Sequence, residues 1–410
     1  MTFRRFFSLP PTLPDDLRSN VIHLFWDIAW WGLYMGSTAA FLTIYATRCG
    51  ATAQQIGLLS ALPALLSLAI SLPVGRLLKR FPCGPVTALG AFASRILLLA
   101  YPLLPWVLPI PQQPDAILVV ALLVAIPNTF IGISYGQFFM EGIPNEWRGM
   151  VVGGRNAIVA VVTLVVTVIC GQILTYLPFP NNYQAVFLIG FVGAIMTSYH
   201  IWKVKPFNVS PPPPPAPLEP GPRQRGLNLN AQGMNYAKIL GLLFLFNLVN
   251  NMLNPLVPNL LVNQLKLSDA TISIGTGLAN ILVFSVSLFI ASFTRRAGNR
   301  RAVAIGAMLL AFHAVALALA GNAALYLLSA AIGGIAAGVL NTAQYNYNLE
   351  NVPEREQSSW LAWNLLLGNA AVLIGALGGP AVAHLTGTMP ALLLFGGLRL
   401  TVGFAILRWG

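Results

Sequence analysis

Along the whole chain, apolar stretches alternate with short gaps that collect arginine, lysine, proline and glycine. Each stretch is close to the roughly 20 residues a helix needs to cross a bilayer. Reading between the gaps predicts twelve membrane-spanning helices, at about 21–46, 53–73, 85–105, 115–140, 150–176, 183–204, 236–262, 269–293, 301–320, 322–348, 358–383 and 389–408. The fold class expected is therefore an all-α membrane protein.

Polar residues inside these spans follow a helical period. In span 7, Asn247, Asn250, Asn251 and Asn254 fall at i, i+3, i+4 and i+7, which is one face of a helix. Span 10 repeats the spacing with Asn341, Gln344, Tyr345 and Asn348, and span 1 with Asp27, Trp30, Trp31 and Tyr34, Thr38 following on the same face. Span 4 offers Asn128 and Tyr135. An unpaired amide facing hydrocarbon costs on the order of several kcal/mol, so a lipid-facing stripe is the worst placement. Packing against neighbouring helices accounts for one or two such residues. A water-filled cavity better accounts for the rest. Pro255 and Pro258 remove backbone donors and predict a kink in span 7.

Composition agrees with a lipid environment. The chain has 410 residues, 56% hydrophobic and 8% charged, against roughly 25% charged in a soluble domain. A net charge of +12 would suit a nucleic-acid binder, but the basic residues sit in the gaps rather than on one patch. Their alternation sets an orientation. Arg4, Arg5 and Arg18 precede span 1. Arg76, Lys79 and Arg80, then Arg148, then Lys203, Lys205, Arg223 and Arg225, then Arg295, Arg296, Arg300 and Arg301, then Arg355 follow the even-numbered spans. The opposite loops hold Arg48 and Lys266. Both termini are expected in the cytoplasm, in the plasma (inner) membrane. The opening "MTFRRFFSLPP" reads as a short interfacial segment and not a cleavable signal. Cys49, Cys83 and Cys170 are expected as free thiols.

The largest gap contains "SPPPPPAPLEPGP", an extended linker with no core of its own. It divides the chain into a six-helix bundle at 1–204, a linker at 205–235 and a second bundle at 236–410. The halves are weakly alike. "ALGA" at Ala88–Ala91 aligns with "AIGA" at Ala304–Ala307; the same offset places Lys79-Arg80 on Arg295-Arg296 and the candidate cap Thr52 on Ser268. Glu141 and Pro144 align with Glu350 and Pro353 at a slightly different offset. Two pseudo-symmetric six-helix halves are a transporter signature.

Three motifs then carry a family resemblance: "GRLLKR" (Gly75 to Arg80), "EGIPNEWRG" (Glu141 to Gly149) with its partial copy "ENVPEREQS", and the glycine-rich "GALGGP" (Gly375 to Pro380). With them the chain resembles the major facilitator superfamily over essentially its whole length. "GRLLKR" lacks the family's usual aspartate, and Gln357 stands where the second copy would have arginine. Neither the family's drug-antiporter pattern in span 5 nor its sugar-porter signature after span 6 is present. The resemblance implies a central cavity lined by spans 1, 4, 7 and 10, which are the spans that carry the polar faces.

The function expected is secondary transport of a small polar solute by alternating access, without an enzymatic activity. The substrate-binding candidates are Trp30, Trp31, Tyr34, Asn128, Tyr135, Asn247, Asn250, Asn251, Asn254, Asn341, Gln344, Tyr345 and Asn348. Two roles stay open for Asp27: carrying a coupling proton, or a fixed ion pair with Arg95 as the nearest partner. Arg95 and Arg155 are expected in structural pairs ahead of anion binding. Glu141 with Arg148 and Glu350 with Arg355 are expected as gating ion pairs. His313 is expected packed and neutral. The four histidines are scattered and make no metal site, and no phosphate-binding loop or other cofactor motif is present. The partners expected are the solute, the bilayer and a proton, with no nucleic acid and with the chain a monomer. Two rivals are an efflux carrier of lipophilic compounds and a non-transporting scaffold or sensor of the same fold. The amide-rich faces argue against both.

Overall fold

The computed structural model describes residues 13–78, 80–207, 231–353 and 357–410. The opening segment, most of the proline-rich linker and Arg355 lie outside them. The described residues are helical throughout, without strands. Span 1 is a run of α1 (Asp15–Tyr34), a π-helical turn (Met35–Ala39) and α2 (Ala40–Arg48). α3 (Ala53–Leu78) is span 2; α4 (Cys83–Leu97) and α5 (Ala100–Val107) make span 3; α6 (Gln113–Gly142), α7 (Asn145–Tyr176) and α8 (Asn181–Lys203) are spans 4 to 6. α9 (Ala231–Leu253), α10 (Leu256–Asn259) and a π turn (Leu260–Gln264) make span 7. α11 (Asp269–Ala297), α12 (Asn299–Ala318), α13 (Ala323–Asn351), α14 (Gln357–Thr386) and α15 (Thr388–Trp409) complete the series.

Among the described residues, 11 helical stretches are long and apolar enough to cross a membrane, and they correspond to spans 2 to 12. The run over 15–48 is the exception: Asn20, His23 and Asp27 lie in its first half, and tyrosine, glycine, serine and threonine in its second. The break in span 7 falls at Asn254-Pro255, where α9 gives way to α10. Both expected caps form. Thr52 Oγ1 accepts from the Gln55 N–H at 3.2 Å while the Gln55 side chain accepts from Thr52 N, a reciprocal capping box. Ser268 Oγ accepts from Thr271 N at 3.3 Å. Cys49, Cys83 and Cys170 are buried and form no disulfide among the described residues, and burial pushes the Cys49 thiol up to about 11.

The chain groups into two compact units, Met1–Leu42 with Leu66–Glu219, and Thr43–Leu65 with Pro220–Gly410. In the first, α1 packs on α7 and α8, and α4 on α6 and α8. In the second, α9 packs on α14 and α15, and α12 on α13 and α15. These are the same four pairings in terms of spans: 1–5, 1–6, 3–4 and 3–6 become 7–11, 7–12, 9–10 and 9–12. Each unit has its own apolar cluster, around Leu17, Val21 and Phe138 in the first and Phe246, Ala307 and Trp360 in the second.

Glycine permits the close approaches, since helix association in lipid relies on packing rather than on a hydrophobic force. A Cβ on Gly193 of α8 would lie 2.7 Å from the Trp30 carbonyl oxygen, and one on Gly375 of α14 2.5 Å from that of Leu248. The repeated "ALGA" and "AIGA" have the same explanation. Gly90 of α4 sits against Pro127 and Ile131 of α6, and Gly306 of α12 against Leu340 of α13.

Gly193→Val should therefore separate α1 from α8 and destabilise the protein by about 1–3 kcal/mol or more, by overpacking. Gly241→Ala, where a Cβ meets nothing within 4 Å, should leave the melting temperature in detergent unchanged or slightly raised. Equal melting of the two variants would refute this account of the interface.

Candidate functional site

In the first unit, α1, α4, α6 and α7 bring their polar side chains into one network. Asp27, 4% exposed, accepts from Arg155 Nη1 at 2.9 Å, and the same Nη1 donates to the Leu24 carbonyl at 2.7 Å. The Arg155 guanidinium lies 5.8 Å from the centre of the Tyr135 ring. Asp27 is thus in an ion pair, and its partner is Arg155 rather than the expected Arg95. The tight seam of α1 against α7, where Gly32 and Gly36 face Val162 and Val166, puts the two charged groups on adjoining helices.

Arg95 is 6% exposed. Its Nη1 donates to the Ser94 hydroxyl and, at 3.2 Å, to Asn128 Oδ1. Its guanidinium stands 4.8 Å from the centre of the Trp31 ring, and Trp31 packs on Tyr34 at 4.8 Å between centroids. Asn128 is exposed, and Trp31, Tyr34 and Tyr135 are half-buried. Buried Arg95 Nε, Tyr135 OH and Trp30 Nε1 have no hydrogen-bond partner.

In the second unit the amide stripe divides by role. Asn247 Nδ2 donates to the Leu243 carbonyl and Asn251 Nδ2 to the Asn247 carbonyl, each one helical turn back. This satisfies the amide donors in an apolar segment without a neighbouring helix. Gln344 Nε2 reaches Asn247 Oδ1 at 3.5 Å, the limit of a hydrogen bond. Asn250 is engaged differently. Its Oδ1 accepts from Arg399 Nη2 at 2.8 Å, while Arg399 Nη1 donates to the Leu310 carbonyl at 3.0 Å. Asn348 is buried and accepts from the Tyr236 hydroxyl at 2.7 Å. Asn250 and Asn348 are therefore held by neighbouring helices. Asn254, Asn341 and Tyr345 are exposed.

The expected Glu141–Arg148 gating pair is not made in this structure. Arg148 donates to the carbonyls of Ile143 and Met140, and Glu141 accepts from Gln137. The physical reason is the end of α6, where carbonyls left without helical donors attract the guanidinium. Glu350 accepts from Asn299, and its expected partner Arg355 lies outside the described residues.

Two features escaped the sequence reading. His23 and His200 are not scattered: their Nδ1 atoms stand 2.9 Å apart, and Trp26 stacks on His200. No group of three metal-ligating residues forms among the described residues. Arg48 donates to Asp269 Oδ1 at 2.9 Å and to the Leu267 carbonyl at 2.6 Å within the second unit. The signal was there, since Arg48 is isolated in a charge-poor loop, but only the fold brings Asp269 to it. His313 is hydrogen-bonded to Ser329 through Nδ1, in keeping with the packed side chain expected.

The family model described as Major Facilitator Superfamily matches residues 239–410. No curated protein sequence matches the chain. Solved structures do. A POT family transporter in complex with a thioalcohol-conjugated peptide has a TM-score of 0.72 at 12% identity, over 96% of this chain and 98% of that one. The nucleoside transporter NupG gives 0.65 at 14%, over 97% and 99%. The xylose transporter XylE from E. coli gives 0.66 at 12%, over 97% and 98%. At these identities the likeness concerns the fold. Eleven apolar helical stretches among the described residues, with polar networks inside two units of repeated helix pairing, define an integral multi-pass membrane protein. Residues 239–410 thus resemble the Major Facilitator Superfamily in sequence, and the whole chain shares the fold of these transporters.

Removing one partner of a buried pair leaves an uncompensated charge. Asp27→Asn and Arg155→Gln should each cost about 3–5 kcal/mol. The double variant should cost clearly less than the sum, read as a coupling energy from melting in detergent. Additive costs would mean that the pair carries no coupling.

Proposed function

We propose that the protein is a secondary carrier that moves a small, polar, hydrogen-bonding solute by alternating access. The observation that carries this reading is the placement of polar groups within segments apolar enough to span a bilayer. Part of the amide stripe and the Trp31–Tyr34–Asn128 face remain reachable while the surrounding helices are otherwise apolar. A purely structural amide would be engaged by a neighbouring helix and buried, as Asn348 is. The solute-contacting groups in this reading are Trp30, Trp31, Tyr34, Asn128 and Tyr135 on the first unit, and Asn247, Asn251, Asn254, Asn341, Gln344 and Tyr345 on the second. Structures of the same fold are named as nucleoside and xylose transporters, which suits a hydrogen-bonding solute. The bundles at 1–204 and 236–410 are the moving bodies in this reading, joined by the linker at 205–235. Both termini are cytoplasmic, in the plasma membrane, and the chain works as a monomer.

The proton is the proposed coupling ion, with Asp27 as its acceptor. Protonation would cancel the Asp27–Arg155 attraction and so link proton binding to rearrangement of α1 against α7. A D-xylose-proton symporter shares the fold.

In proteoliposomes, Asn251→Ala and Gln344→Ala should each lower solute counterflow severalfold with little change in melting temperature. Wild-type counterflow in both would remove these residues from the solute path. Asp27→Asn should lose accumulation driven by a pH gradient while keeping exchange at equilibrium. Undiminished accumulation in that variant would rule out Asp27 as the proton acceptor.

A further inference from the structure

The membrane-embedded network of the first unit holds two guanidinium groups and one carboxylate. Asp27 is engaged by Arg155. Arg95 makes no salt bridge among the described residues. Its polar partners, the Ser94 hydroxyl and the Asn128 amide oxygen, are neutral, and its Nε–H has no partner. Neutral acceptors and the Trp31 face soften the desolvation of a cation but do not cancel its charge. An unbalanced charge inside a membrane segment is costly and marks function by default.

Arg399 in the second unit is a useful contrast. It is 1% exposed, lacks a carboxylate and, like Arg95, has an unpartnered Nε–H, while its Nη groups donate to Leu310 and Asn250 in the packed seam of α9, α12 and α15. Its partners lie on two other helices and Asn250 is only half-buried, so it is an anchor that joins three helices. Arg95 is different. Its amide partner Asn128 is exposed, and Trp31 is only half-buried. Because Asn128 Oδ1 accepts from Arg95, the Asn128 NH2 group is left to donate away from it.

The geometry points to Arg95 as the receptor for a carboxylate on the transported solute. The carboxylate accepts from the Arg95 guanidinium and from the Asn128 NH2 group, with the Trp31 ring against the guanidinium. One surplus positive charge calls for one negative charge, so the ligand class is a monocarboxylate or a zwitterion bearing a carboxylate. A neutral sugar and a dianionic phosphate both leave the network unbalanced. This inference rests on the carrier reading and narrows its solute class.

The test is thermal melting of the full purified chain with sodium formate and sodium acetate, against sodium chloride at equal ionic strength and against acetamide, the neutral analogue of acetate. A ligand that binds the native state raises the melting temperature by mass action. The carboxylates should raise it by several degrees and acetamide should not. Arg95→Gln should abolish the response, and without added anion it should melt no lower than wild type, because it removes an uncompensated charge. Arg95→Lys should keep a weakened response. If Arg95→Gln does not fold, Asn128→Ala at the exposed position should still weaken the response severalfold. No response to carboxylates, an equal response to acetamide, or a wild-type response in Arg95→Gln or Asn128→Ala overturns the assignment. Transport assays separate it from the carrier reading. Uptake of neutral sugars or nucleosides by a protein that ignores carboxylates defeats the Arg95 site and leaves the carrier. A carboxylate response at Arg95 in a protein that moves no solute defeats the carrier and leaves the site.

Discussion

A bilayer interior offers no water to complete a hydrogen bond, and this constraint shapes the rest of the molecule. Each polar side chain in a span must find a partner in the protein or reach a surface where water or a solute can supply one. The second unit uses both solutions. Asn247 and Asn251 donate to their own helix, Asn348 takes the Tyr236 hydroxyl, and Asn250 takes Arg399. Asn254, Asn341 and Tyr345 are exposed. The apolar spans without such residues need only their backbone bonds.

Charge sharpens the same constraint. Asp27 and Arg155 satisfy each other, and the Leu24 carbonyl takes a further bond from Arg155. The pair is affordable because α1 and α7 are held close by glycines, so that neither charge depends on water. Arg95 has only neutral hydrogen-bond partners. A network of two cations and one anion is stable in lipid only at a cost, and such a cost is retained where function needs it.

The two units solve the packing problem with the same pairings but not with the same residues. Span 1 brings Gly32 and Gly36 to its seam with span 5, whereas in the seam of span 7 with span 11 the glycines are Gly375 and Gly379 of span 11. Either partner can supply the missing side chain, since close approach needs a small residue on one side only. This freedom explains why the internal similarity is faint in sequence and plain in the helix pairings. Gly90 and Gly306 are positions where both units kept the same choice, and there the repeat is legible.

The sequence by itself determined the helices, their number, the caps at Thr52 and Ser268, the break at Pro255, the repeat and the polar faces, because hydropathy, helical period and capping act over a few neighbouring residues. It also marked Asp27, Arg95 and Arg155 as the charges that need an explanation. Only the tertiary structure decided who meets whom. Asp27 takes Arg155 and not Arg95, Asn250 serves Arg399, Arg148 binds carbonyls at the end of α6 rather than Glu141, and His23 finds His200 across 177 positions. Partner choice depends on which helices are neighbours and on how deep each side chain sits along them, and those distances are set by packing far apart in the chain.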